Sequence, residues 1–468
     1  MVAGLQVLSA GQDPSPQNPP AQSSSDDGAR TVPAAALSAI AGRETESGTT
    51  ADASGDLPQI PALLGGKGMT SAFLSELERS NYLRGGVNVG ATYDDNPLLS
   101  PSGQVSNTSE SIFPNLKIEE SSSRVRWTLG YAGGLTVNQK ITSQNQGSHN
   151  LNFDSEYRLS PHVNLRIAEN FSLTTGFFDA GNGSDVVTGS GESNASLIAP
   201  LSTQRSSMTT VETNYHIALN DVVGASGSFY DLHFTNVPAG TLLTDSQTAS
   251  GSAFWLHRLF HGDWAGTNYR FERLTFSPGG GEARVHSFFA VDTLNLSKRF
   301  TLTGFVGPQY LEGQGLAPGG MPISQSNNWS VAGGVEGGWR NQRTGVTAGF
   351  SRNISDGGGV LGAVRLQTIH GTFRRELVPG WAAAFMASYG KNQSLIVPLA
   401  TSASSIDLTT AGVSLERNVG KSIGLRLGYT HDFQQQFFAP KAPIAAFDAS
   451  RNRFLVTLSY QWAKPLGM

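Results

Sequence analysis

Arg453-Phe454-Leu455-Val456-Thr457-Leu458-Ser459-Tyr460-Gln461-Trp462 is the stretch whose reading decides the fold. Phe454, Val456, Leu458, Tyr460 and Trp462 fall on one face, and Arg453, Thr457, Ser459 and Gln461 on the other; Leu455 is the exception. A period of two with bulky apolar groups on one side is a strand set between a greasy phase and a wet one. One such line would also suit a soluble sandwich. Here similar segments recur from Tyr82 onward along nearly the whole chain, and that recurrence is the pattern of a transmembrane antiparallel β-barrel.

Working back from this segment, eighteen stretches read as strands, with sixteen as the alternative count. Tight connections fall at 120–123, 160–162, 219–221, 258–263, 297–300, 340–343, 377–380 and 417–421. They alternate with mostly longer ones, among them 94–108, 138–147, 180–206, 312–326, 391–404 and 434–450. Short turns at one rim and long loops at the other is the outer-membrane arrangement, and an even strand number puts both termini at the short-turn, periplasmic rim. The barrel is expected over 82–462, followed by a short tail at 463–468.

Composition agrees and narrows the alternatives. Of 468 residues only 15% are charged, 55 are glycine and none is cysteine. Disulfides and thiolate metal sites are therefore excluded. A net charge of -4 lacks the basic stripe of a nucleic-acid binder. No apolar run reaches the ~18 residues of a helical span, and a mean hydropathy of -0.20 is ordinary for a barrel whose inner half is polar.

Residues 1–69 divide into a short apolar start, Val2 to Ala10, and a Pro/Ser/Ala-rich stretch too poor in large apolar groups to order itself. The start has the apolar and small residues of a signal-peptide remnant but no preceding basic residue. Either the true start lies upstream, or Met1 is the start and the chain is not exported. A short helix is expected at 70–81, with Ser71 as cap and Phe73, Leu74 and Leu77 at helical spacing.

Tryptophan placement gives an independent check. Trp127, Trp255, Trp264, Trp339, Trp381 and Trp462 all lie near an expected short turn or the C-terminal end, as a girdle at one membrane interface requires. Only Trp329 falls near the other rim.

If apolar residues face lipid, their neighbours line the interior. That assigns Arg84, Arg124, Arg126, Asp154, Glu156, Arg158 and Arg166 to the lumen, together with Glu212, Arg270, Glu336, Glu416, Arg426 and Arg453. A charge turned to the bilayer midplane would cost about 2–4 kcal/mol. Two readings of this set stay open: a mutually neutralising lining, or arginines facing acids across a constriction that selects ions. Eighteen strands leave a lumen too wide for side chains to fill. The loop at 180–206, the helix near Phe73 and the N-terminal tail are the candidates to occupy it.

Motifs for chemistry are scarce. The chain has no Gly-x-Ser-x-Gly elbow, Walker loop, His-Glu-x-x-His or EF-hand loop, and its nine histidines are scattered singly. An enzyme is not expected, and no cofactor. Asp94 and Asp95, followed by Asn96 and Pro97, offer oxygen ligands for calcium, but these are also turn formers.

Tyr93-Asp94-Asp95-Asn96-Pro97-Leu98, at the end of the first strand, resembles a family of uncharacterised outer-membrane β-barrel proteins whose first strand ends in Tyr-Asp-Asp-Asn. Tyr157-Arg158-Leu159-Ser160-Pro161-His162-Val163-Asn164-Leu165-Arg166-Ile167 looks like the same group. Some of those proteins are encoded with exopolysaccharide and exosortase systems. The resemblance implies fold and location, and supplies no catalytic residue. The expectation is a porin-like channel or export conduit in the outer membrane, with extracellular polysaccharide as one cargo. The alternative is a non-conducting structural or adhesive barrel presenting its loops. Expected partners are outer-membrane lipid, lipopolysaccharide and the barrel-assembly machinery; oligomeric state is left open.

Overall fold

The computed structural model describes residues 81–98, 103–142, 145–175, 203–235, 243–260, 263–277, 281–297, 299–316, 322–357, 362–395, 403–420, 422–438 and 447–466. The extension at 1–69, the helix at 70–81 and most of the 180–206 loop lie outside these residues.

The described residues form eighteen strands. The first six are β1 (Tyr82–Asp94), β2 (Asn107–Ser121), β3 (Val125–Asn138), β4 (Gln146–Ser160), β5 (Val163–Thr175) and β6 (Thr203–Ala218). Next come β7 (Asp221–Thr235), β8 (Asp245–Phe260), β9 (Asp263–Ser277), β10 (Gly281–Ser297), β11 (Phe300–Leu316) and β12 (Pro322–Arg340). The last are β13 (Thr344–Ser355), β14 (Val364–Val378), β15 (Trp381–Ser394), β16 (Ala403–Val419), β17 (Ile423–Phe438) and β18 (Phe447–Pro465). Each strand pairs antiparallel with its sequence neighbours, and β1 also pairs with β18, so the sheet closes and has no edge. The eighteen-strand count and all eight tight turns match the sequence reading.

Alternation decides which side faces out. On β18, Phe454, Val456, Leu458, Tyr460 and Trp462 are exposed on the outer face, while Ser459 and Gln461 are buried on the inner one. The neighbouring strands keep this register: Leu425, Leu427 and Tyr429 on β17 and Val87, Val89, Ala91 and Tyr93 on β1 stand on the same side. The result is an apolar belt around a closed sheet, which is a transmembrane barrel. Tyrosines inside that belt have their hydroxyls satisfied by outward polar neighbours. Tyr131 meets His149 Nδ1 at 2.9 Å, Tyr269 meets His286 Nδ1 at 2.9 Å, and Tyr389 donates to Asp407 at 2.9 Å.

Towards the long-loop end, the outer faces of β6–β10 change from apolar to ion-paired. Arg205 lies 3.4 Å from Asp231, and Arg273 and Arg284 lie 2.9 and 2.7 Å from Glu282. These strands therefore continue beyond the hydrocarbon. The same continuation corrects the loop expected at 312–326. β11 reaches Leu316 and β12 starts at Pro322, with Glu312 opposite Asn327 and Gln314 opposite Gln325 in unbroken register. Polar residues on both faces read as a loop only when every strand is assumed to lie in lipid.

The C-terminal boundary is also corrected. Ala463, Lys464 and Pro465, expected in a tail, belong to β18 and pair with Arg84, Leu83 and Tyr82. The first residues of β1 supply partners that the sequence pattern could not reveal. At the short-turn rim, Gly380 and Gly420 take φ of 81° and 66°, which no side chain with a Cβ adopts without strain.

Candidate functional site

The interior is the site, and the strand register assembles it. On the inner face of β1–β6 an alternating-sign belt runs across consecutive strands: Arg84, Glu119, Arg126, Glu156, Arg166 and Glu212. Arg126 stands opposite Glu156, Glu156 opposite Arg166, and Arg166 opposite Glu212. Arg84 Nε lies 3.2 Å from Glu119, which also holds Lys117. Arg166 grips Asp154 through Nη2 at 2.6 Å and Nε at 3.1 Å. Arg158 is also on the inner face, two residues from the β4–β5 turn. A second group sits on β14–β17, where Arg374 is 3.2 Å from Glu416 and Glu416 stands opposite Arg426.

Both groups lie within a few residues of the short turns, a height the sequence alone could not give. Glu336 lies at a similar level on the inner face of β12; it is exposed and has no ion-pair partner among the described residues. Two expected lumen residues sit farther from that rim. Arg270 pairs with Glu272 at 2.6 Å, both nearly buried, and Arg453 pairs with Asp432 at 3.0 Å. Arg124 is a correction: it lies in the β2–β3 turn, where its carbonyl accepts from Arg158 N. It therefore borders the mouth rather than lining the wall. Lys117, Glu119, Arg374, Asp432 and Arg451 escaped the sequence reading, although the same alternation marks their faces.

The remaining arc of the wall is different in kind. Val222, Phe254, Leu256, Trp264, Phe289, Val291, Phe305 and Ala332 form one apolar cluster on the inner faces of β7–β12. Phe289 and Phe305 meet edge-on with ring centres 5.1 Å apart. Trp264 is thus a second correction: expected in the membrane-interface girdle, it is 3% exposed and points inward. Asp263 begins β9, and the one-residue offset that places Thr267 and Tyr269 outside turns Trp264 inside. Trp255, Trp339 and Trp462 do stand exposed at the short-turn end of the outer face. Trp127 and Trp381 share that face, with the Arg417 guanidinium 5.1 Å from the Trp381 ring. Trp255 Nε1 donates to Asp221 at 3.1 Å, which keeps the indole nitrogen satisfied at the interface.

Nearer the long-loop end, the β13–β14 connection folds into the lumen. β12 and β13 stay paired only up to Gly333 and Arg352, and beyond that β13 leaves the wall. Ile354 and Ala363 then pack with Leu274, Phe276, Val285 and Leu311 from the inner faces of β9–β11. Ser246 Oγ on β8 donates to Asp356 Oδ2 at 2.6 Å and ties the turn to the far side of the gap. The interior is therefore narrowed from within, by a segment that no sequence motif singles out.

The Asp94–Asn96 motif closes the barrel. Arg451 Nε on β18 lies 2.8 Å from Asp94 Oδ2 in a buried ion pair. Asp95 accepts from Asn452 N at 2.7 Å and Asn452 Nδ2 at 2.6 Å. Asn96 donates through N to Asp94 at 3.1 Å and through Nδ2 to the Ser450 carbonyl at 2.9 Å. Both carboxylates named as calcium ligands are thus committed to side chains of β18. Among the described residues, no group of three or more His, Cys, Asp or Glu could hold a metal.

Two histidine–aspartate contacts occur, His233 with Asp245 at 2.6 Å and His257 with Asp221 at 2.9 Å.

No family model and no curated protein sequence matches the chain significantly. Among solved structures it is similar to the ferric citrate transporter FecA in its unliganded form, at 8% identity and a TM-score of 0.44, over 82% of this chain and 79% of that one. It is similar to Pseudomonas aeruginosa OpdK with vanillate at 11% identity and a TM-score of 0.41, over 82% of this chain and 99% of that one. Pseudomonas aeruginosa OpdQ gives 10% identity and a TM-score of 0.39, over 83% and 98%. These likenesses reach no further than the barrel architecture. The class that the fold and interior define is a transmembrane β-barrel with a charged, internally narrowed lumen.

Proposed function

We infer that the protein is an outer-membrane channel for polar solutes, with its short-turn rim and both ends of the barrel on the periplasmic side. The observation that carries this reading is the concentration of charge on the inside of a closed, lipid-facing barrel. Eighteen strands at ~4.8 Å spacing and ~40° tilt give a backbone diameter of about 36 Å, wide enough for water and solutes beside the in-folded turn. The belt on β1–β6 is nearly self-neutralising, which supports a wet, weakly selective wall there. The Arg374–Glu416–Arg426 group carries two cations against one carboxylate and supports a mild preference for anions. The ion-paired outer faces of β6–β10 support contact with lipopolysaccharide head groups. Polysaccharide as cargo rests on the family resemblance alone. Its test is release of exopolysaccharide by cells lacking the protein.

The direct experiment is single-channel conductance of the full chain in planar bilayers, wild type against Glu416→Lys. A unit charge ~4 Å from a passing ion contributes about 1 kcal/mol in a water-filled pore, so reversing one charge is expected to raise the anion-to-cation permeability ratio severalfold. Correctly folded barrels that never conduct would remove the channel reading. That outcome favours the second reading, a non-conducting structural or adhesive barrel, which the apolar inner arc of β7–β12 also supports.

A further inference from the structure

Towards the long loops, Arg205, Arg273 and Arg284 on the outer faces of β6–β10 are each met by a carboxylate. On β13–β15 the same end is built differently. Arg352 stands opposite Gln367, Gln367 opposite Lys391, and Arg365 opposite Gln393 in the next row. Arg365 is therefore the diagonal neighbour of both Arg352 and Lys391, a separation of ~7–8 Å that long side chains bridge. All of these face outward. Alternation puts Arg352 with Phe350, which is 40% exposed, and Arg365 and Gln367 with Ile369, which is 54% exposed. Where β13 bends into the lumen after Arg352, β14 stays paired with β15, so Arg365 keeps its place in the wall.

Carboxylates do not balance this group. The last partner of Arg352 on β12 is Gly333, which has no side chain. Among the described residues neither Arg352 nor Arg365 has a carboxylate partner, and the charge acting on Arg365 is that of Arg352, a second cation. Lys391 Nζ has Asp407 at 3.9 Å, but that carboxylate also accepts from Tyr389. Like charges held side by side repel unless an anion joins them. Height indicates which anion. Strands rising ~3.3 Å per residue at ~40° tilt climb about 20 Å from Thr344 to Arg352 and about 25 Å from Trp381 to Lys391. An outer-membrane barrel's apolar band is about 25 Å tall, so these cations sit at its far edge. Phe350, Ile369 and Tyr389 lie directly below them.

We propose that Arg352, Arg365, Gln367 and Lys391 bind the phosphate of a lipid head group, whose acyl chains lie against Phe350 and Ile369. The outer-membrane reading, on which this rests, makes that lipid the phosphorylated lipid A of the long-loop-side leaflet. Guanidinium forks match phosphate oxygens bidentately, and the ammonium and amide groups add further donors. A free phosphate would satisfy the same donors but leave the apolar surface beneath them unused.

Native mass spectrometry of the full chain in detergent, with diphosphoryl lipid A added, tests the site. Wild type is expected to retain the lipid. Arg352→Gln combined with Arg365→Gln should bind it roughly tenfold or more weakly, the worth of one charge-assisted hydrogen bond. Arg352→Lys with Arg365→Lys should recover part of that loss, since the charges return without the forks. Arg375→Gln, which removes a cation from the same face of β14 at the short-turn end, should bind as wild type does. Equal binding by wild type and the double glutamine variant overturns the site. So does wild-type retention of dephosphorylated lipid A as strong as that of the phosphorylated form, a comparison that needs no variant to fold. Displacement of lipid A by an equal concentration of inorganic phosphate assigns the site to a soluble anion and overturns the lipid. A barrel that binds lipid A at these residues and never conducts upholds the site and fails the channel reading alone.

Discussion

Asp94→Ala is expected to lower the stability of the folded barrel by about 3–5 kcal/mol, the usual consequence of removing one partner from a buried ion pair. Arg451, 3% exposed, stays inside with its guanidinium no longer opposed by the carboxylate 2.8 Å away. Asp94 is also the last residue of β1 and accepts from Asn96 N, so the same change loosens the turn that binds Ser450. The loss falls on the seam where the first strand meets the last, the only place where closure joins residues hundreds of positions apart. Urea unfolding of the barrel in detergent, followed by the mobility difference between unheated and boiled samples, reads the effect. A midpoint equal to wild type would show that the seam is held by backbone pairing alone. Combining Asp94→Leu with Arg451→Met should recover much of the loss, because the stranded charge is what costs most.

Gly307→Val should prevent a stable barrel from forming. A Cβ at this inner position of β11 would clash with the carbonyl oxygen of Phe288 and lie 3.0 Å from the Cα of Phe289. Both obstacles are backbone, so no rotamer change relieves them and β10 must separate from β11. Overpacking ordinarily costs ~1–3 kcal/mol, and here lost strand pairing adds to it. The Phe289–Phe305 contact lies beside this point, so the apolar cluster is disrupted as well. Gly251→Val on β8 is the comparison, since a Cβ there meets nothing closer than 4.0 Å. Equal recovery of heat-resistant folded protein from both variants would mean that the close approach of β10 and β11 is dispensable.

Several features of the interior were legible before any coordinates. The period of two marks Arg84, Arg126, Glu156, Arg166 and Glu212 as sharing one face, and the structure places the last four each opposite the next. Where both faces of a strand are apolar, the period is silent. Phe288 and Phe289 are adjacent on β10; one is 52% exposed and the other 3%, and nothing local chooses between them. Trp264 was misplaced for the same reason. The Asp94–Asn96 motif was visible but ambiguous, because its partners Ser450, Arg451 and Asn452 lie at the far end of the chain.

Strand number, turn positions and the lipid-facing stripe were therefore set by sequence alone, since each depends on residues within a dozen positions of one another and on a hydrophobic period that lipid enforces. The seam clamp, the common height of the charges, the in-folded β13–β14 turn and the buried apolar arc were decided only by closure of the sheet. Closure fixes the stagger between strands, and stagger determines which side chains, far apart in the chain, meet across the lumen.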